Sequence, residues 1–220
     1  MSGMEGAIFD GLPRADIPGG LPLVLASGSP RRALLLEAAG YAFSVCPAHA
    51  DVECGICSRE TPPELVARLA YRKAADVVPK CDDAMVLAAD TVASCHGQIL
   101  GKPENRKHAE EMLRLLRGRP HSVYTGVCLW NTATGRGVVD VSRTQLTMQE
   151  VSDQQLDEYL DSRLWEGKAG AFGYQDGVDW LQVTEGSETN VVGLPMERLQ
   201  ELLQQFDDLA MVVVRSANET

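Results

Sequence analysis

No stretch of this chain approaches the ~20 consecutive apolar residues that a membrane helix needs, so no contact with a membrane is expected. The opening 20 residues carry acids and lack a basic start followed by a long apolar run. That excludes a secretory signal, and the acids argue against a transit peptide. Cations are the scarce charge: 20 Lys and Arg stand against 31 Asp and Glu, a net −11. A chain so poor in cations does not suit nucleic acid, which demands clustered phosphate contacts. The spacing GxxxxGK[ST] is absent, so there is no P-loop. Cys54 and Cys57 form one CxxC, but no second pair and no HxxxH accompanies it, against a structural zinc site. No Ser/His/Asp triad is indicated. His49, His96, His108 and His121 show no ligand-like spacing, and His108 falls on the exposed side of a predicted helix.

The cysteines are therefore expected as reduced thiols in a cytoplasmic protein. A small polyanion remains a feasible ligand if the few cations converge on one pocket.

Residues 1–20 hold five Gly and two Pro with little periodicity and read as a flexible extension. One domain is expected over 21–210, with a tail over 211–220. Leu21 to Ala26 reads as a strand, and Ser29 and Pro30 suit the cap and first position of a helix ending at Gly40. Residues 41–46 read as a strand and 47–60 as a loop. Thr61 and Glu64 fit a capping box before a helix whose apolar stripe is Leu65, Val66, Leu69 and Ala70. Met85 to Ala89 has the unbroken apolar character of a strand buried on both faces, ending at Asp90. Further helices are expected over 106–117 and from Ser152, with strands over 121–130, 138–148 and 178–185. Gly167 to Gly177 reads as a glycine-rich loop, and Pro195 opens the last helix. Interleaved helices and strands predict an α/β fold with a mixed sheet flanked by helices.

The chemistry gathers at a few points. Ser27 to Arg32 joins a strand to a helix start, which presents backbone N–H groups and a positive dipole end. Arg31 and Arg32 oppose that dipole, a conflict that an arriving phosphate would relieve. The plain alternative is a capped helix with solvated arginines. Lys73 shares the apolar stripe of its helix and must either snorkel or meet an anion. Asp90, at a strand end, either caps the next turn or faces a ligand site. Glu53 could be a second carboxylate or a solvated loop acid; together the two acids would suit metal-assisted attack of water on a phosphate. Lys102 follows Gly101 and precedes Pro103. In the glycine-rich loop Lys168 lies among small residues, and Gln175 carries an amide able to pair with a base edge.

The order of these motifs is more specific than any of them. Leu25-Ala26-Ser27-Gly28-Ser29-Pro30-Arg31-Arg32, Asp51-Val52-Glu53, Arg68-Leu69-Ala70 with Lys73, Ala88-Ala89-Asp90-Thr91-Val92 and Leu100-Gly101-Lys102-Pro103 follow one another. Tyr124-Thr125-Gly126-Val127, Gly167 to Gly173 with Gln175, and Asn190-Val191-Val192-Gly193-Leu194-Pro195 complete the series. From about residue 23 to about 206 the chain resembles the Maf family of nucleotide pyrophosphatases. The resemblance implies two lobes with an active-site cleft, a homodimer, and hydrolysis of a nucleoside triphosphate with Mg²⁺, Mn²⁺ or Co²⁺. It implies Asp90 as general base, Glu53 and Asp90 at the metal, and Lys102 beside them. Ser27, Ser29, Arg31, Arg32, Lys73 and Lys168 would bind the substrate. Arg31, Thr91 and Gln175 match the branch that acts on dTTP and UTP. The family's link to septum formation leaves another reading, a nucleotide-binding regulator with little turnover.

Overall fold

A computed structural model describes residues 8–52, 60–175 and 179–209, and the backbone of 211–212. Among the described residues, strands β1 (Leu23–Leu25), β2 (Phe43–Val45), β3 (Met85–Cys95), β4 (Gln98–Leu100), β5 (Pro120–Asn131), β6 (Arg136–Met148), β7 (Leu181–Glu185) and β8 (Met211–Val212) make one sheet. Its main order is β2-β1-β3-β5-β6-β7, with β4 on β3 and β8 on β6. The β2-β1-β3 pairings are parallel and the rest antiparallel, so the sheet is mixed.

The helices are α1 (Pro30–Ala38), α2 (Pro62–Val77), α3 (Arg106–Leu116), α4 (Asp153–Asp161), α5 (Glu188–Val192), α6 (Met196–Gln204) and α7 (Phe206–Leu209). α2 covers one face of the sheet, where Leu65, Val66, Ala70, Ala74 and Val77 are buried. The opposite face carries the larger core, with Leu35 and Leu36 of α1, Leu113 of α3, Leu156 of α4, Leu199 of α6 and Phe206. β3 feeds both cores: Met85, Leu87, Ala89 and Ala93 face one, and Val86 and Ala88 the other. Burial on both faces is why its sequence reads as a continuous apolar run.

Two glycines set close approaches or turns here. A Cβ on Gly126 of β5 would sit 2.3 Å from the Val66 carbonyl oxygen, so only glycine lets α2 lie this near the sheet. His96 and Gly97 both take positive φ, 49° and 77°, the two-residue turn that a β3–β4 hairpin favours.

Several expectations are corrected. β3 does not stop at Asp90 but continues to Cys95, because β5 pairs with it throughout and β4 joins at Ala93. Pro195 is followed by two helices, α6 and α7, and the five-residue α5 precedes it unforeseen. The stretch read as a flexible extension packs over residues 8–20. Ile8 and Ala15 are in the core, the Ala15 N–H donates to the Tyr41 hydroxyl at 3.0 Å, and Gln200 donates to the Arg14 carbonyl. Glu53, Cys54 and Cys57 lie outside the described residues. No described helix is long and apolar enough to cross a membrane.

Candidate active site

The site forms where the sheet has a gap. β1 pairs with β3 only as far as Leu25 and Leu87, and β4 takes over at Ala93. Between those points, no described strand lies beside residues 88–92 of β3 on that edge. The chain leaving β1 turns there into α1. Strand alternation then sends Asp90 to the α2 face and Thr91 to the opposite face. A cleft of about 590 Å³ opens at this gap, between the end of β1 with α1 and the loop that carries Gly167.

On the α2 face, Lys73 donates from Nζ to Asp90 Oδ1 at 2.6 Å, and their side chains are only 7% and 14% exposed. Of the two sequence alternatives for Lys73, it meets an anion. Asp90 Oδ2 makes no hydrogen bond among the described residues, leaving one carboxylate oxygen toward the cleft.

On the other face Arg32 is 8% exposed and bolts three segments together. It donates to the Gly193 carbonyl at 2.8 Å, to Ser27 Oγ at 2.8 Å and to Thr91 Oγ1 at 3.2 Å. Thr91 and Thr125 lie 2.9 Å apart, and Thr125 donates to the Asn190 carbonyl. A hydroxyl has one hydrogen to give, so the order is fixed: Arg32 to Thr91 to Thr125 to Asn190. Such a chain polarises each bond in turn. Arg31 reaches the other wall and donates to the Gly167 carbonyl at 3.0 Å.

Ser29 holds the N-cap position of α1 but makes no side-chain cap bond; its N–H donates to Ser27 Oγ instead. Lys102 is exposed and Gln175 half-buried, and both line the cleft with the buried Lys168. Five cations, Arg31, Arg32, Lys73, Lys102 and Lys168, thus share one cleft with two described carboxylates, Asp90 and Glu166. A chain of net −11 has gathered a quarter of its 20 cations there, an arrangement suited to a polyanion.

Two residues that the sequence leaves without a role stand in the site. Asn190 is fully buried, and its side-chain amide donates to the Val123 carbonyl and Thr144 Oγ1. It ties α5 to β5 and β6, so the Gly193 carbonyl is held for Arg32. The other is His121, buried in the cleft wall, where burial lowers its pKa. Among the described residues no three His, Cys, Asp or Glu side chains group as a metal site.

Residues 22–206 match the family model described as Maf-like protein. The chain belongs to this family. A dTTP/UTP pyrophosphatase of Rhodopirellula baltica is 69% identical over 205 residues, 90% of each chain. One from Bacillus anthracis is 41% identical, over 84% of this chain and 95% of its own. A solved nucleoside-triphosphatase / dITP/XTP pyrophosphatase from Mycobacterium abscessus covers 86% of this chain at 14% identity and a TM-score of 0.36.

Proposed function

We propose that this Maf-family chain hydrolyses dTTP and UTP to the nucleoside monophosphate and pyrophosphate. The observation that carries the reading is a carboxylate, Asp90, held by a buried lysine inside a cationic cleft. The 69% identity to a dTTP/UTP pyrophosphatase supports the substrate.

Asp90 is the base. Its Oδ2 accepts a proton from water, whose oxygen attacks the α-phosphorus. The bond from that phosphorus to the bridging oxygen breaks, and pyrophosphate leaves with the electron pair. Lys73 holds the carboxylate in place. Arg31, Lys102 and Lys168 meet the negative charge that grows on the leaving group, as fixed cations do best where water is sparse. Ser27, Arg32 and Thr91 shape the wall around the phosphates, and Ser29 and Gln175 complete the substrate contacts.

The donor set fits a hard divalent ion such as Mg²⁺. Such ions keep several waters and take one or two carboxylates plus substrate phosphates, and Asp90 retains an unengaged oxygen. Asp90 with Glu53 would hold the ion, which would supply Lewis acidity at the phosphates. Following the family resemblance, the enzyme is a cytoplasmic homodimer; a monomer mass in light scattering would overturn the second half of that statement.

The test is a panel of dTTP, UTP, CTP, dATP, GTP and 7-methyl-GTP with Mg²⁺ or Mn²⁺, detecting pyrophosphate and orthophosphate separately. Pyrophosphate chiefly from dTTP and UTP is expected, and its loss in Asp90→Asn. Orthophosphate as the product, or an active Asp90→Asn, would refute the reading.

A further inference from the structure

The inner end of the cleft is apolar, lined by Ala93, Leu116, Val123, Leu146, Phe172 and Leu181. Sheet register explains much of the grouping: Ala93 lies opposite Val123, and Leu146 opposite His121. Gly170 closes the chamber, its would-be Cβ 3.0 Å from Ala93 and 3.5 Å from Leu116. His121 stands in this wall, 7% exposed.

The ring has a definite polarity. Its Nδ1 lies 3.3 Å from the Arg119 carbonyl oxygen. A carbonyl only accepts, so Nδ1 carries the hydrogen and Nε2 the lone pair. Nε2 makes no hydrogen bond among the described residues. It is not one of the unpaired side-chain atoms sealed away from the cleft, so it opens on the chamber, where a donor brought by a ligand can reach it. Burial holds the pKa below its usual value, which keeps the ring neutral and the lone pair available near neutral pH.

We infer that His121 is a specificity-determining residue whose Nε2 accepts the N3–H of a uracil or thymine ring seated in this chamber. The inference rests on the pyrophosphatase reading above and deepens it. Uracil and thymine share an N3–H donor between two carbonyls. Cytosine presents a lone pair at N3, which would face the lone pair of Nε2. An acceptor that the seated base covers and leaves unpaired costs enough to separate such substrates by roughly ten- to a hundredfold. The triphosphate then extends outward past Thr91 to Asp90 and the cations.

The experiment measures kcat/KM by pyrophosphate release from UTP, CTP and 3-methyl-UTP, using the full chain and His121→Phe. The wild type should favour UTP over both others by roughly ten- to a hundredfold. In His121→Phe the UTP value should fall by a similar factor, bringing the UTP-to-CTP ratio toward one. A folded variant with the wild-type ratio overturns the inference and leaves the pyrophosphatase reading standing. If the variant fails to fold, the wild type still decides: equal turnover of UTP and 3-methyl-UTP overturns the inference. No pyrophosphate from any nucleotide would instead sink the pyrophosphatase reading, and this inference with it.

Discussion

Lys73 and Asp90 meet at 2.6 Å because Gly126, opposite Asp90 in the sheet register, lets α2 settle against the strands. The Lys73–Asp90 ion pair is thus a consequence of backbone packing. Gly126→Ala would drive a Cβ into the Val66 carbonyl, which is backbone and can yield only by moving the helix. A loss of about 1–3 kcal/mol or more is expected. The melting temperature should fall by roughly 2–4 °C for each kcal/mol. Turnover should drop more steeply than substrate affinity, since Lys73 moves with the helix. Thermal denaturation beside kcat and KM checks this; an unchanged melting temperature would refute the close approach.

The threonine pair offers a second test. Thr91→Val deprives Arg32 of an acceptor and Thr125 of its donor. Thr125→Val cuts the same chain one link later. Because both changes break one polarised series, their costs should not add. A double-mutant cycle in urea should show coupling of about 0.5–3 kcal/mol. Additive effects would mean the hydroxyls act independently.

Much of this site is readable from the residues. The capping box of α2 forms as its Thr61 and Glu64 predict, and the stripe that carries Lys73 is buried as its spacing requires. Caps and periodicity act over a few residues, so they survive into the fold. The end of β3 is not legible in the sequence because a single Asp interrupts an apolar run, while the partners that prolong it, β4 and β5, lie downstream in the chain. For Arg32 the sequence leaves a phosphate ligand and a solvated first-turn cation both open; its burial depends on Gly193, 161 residues away. Asn190 carries no role in the sequence beyond opening a motif, and His121 shows no ligand-like spacing, since a lone His or Asn reveals its burial only once the sheet is assembled.

His121 also predicts a stability trend with pH. The unfolded ring protonates near 6.5, whereas burial lowers the folded value. Below 6.5 the unfolded state therefore holds more protons, and stability falls as pH falls toward the folded pKa. His121→Gln removes that contribution. The difference in unfolding free energy between wild type and variant should move in favour of the variant between about pH 7.5 and about pH 5. Urea unfolding at the two pH values measures it. A constant difference would show that the ring titrates alike in both states.

Arg32 is the place where charge and shape can be separated. Its fork reaches oxygens on the β1–α1 turn, on β3 and at the end of α5, in three directions at once. Lysine keeps the charge but ends in a compact ammonium that cannot span those acceptors. In Arg32→Lys the Gly193 carbonyl and the Thr91 hydroxyl should lose their donor, at a cost of about 1–3 kcal/mol. KM for the triphosphate should rise because the wall around the phosphates loosens, even though the net charge of the cleft is unchanged. If Arg32 acted only through its charge, the lysine variant would match the wild type in both stability and KM. A loss of stability with KM preserved would place Arg32 in the scaffold alone, and a rise in both would tie the scaffold to phosphate binding.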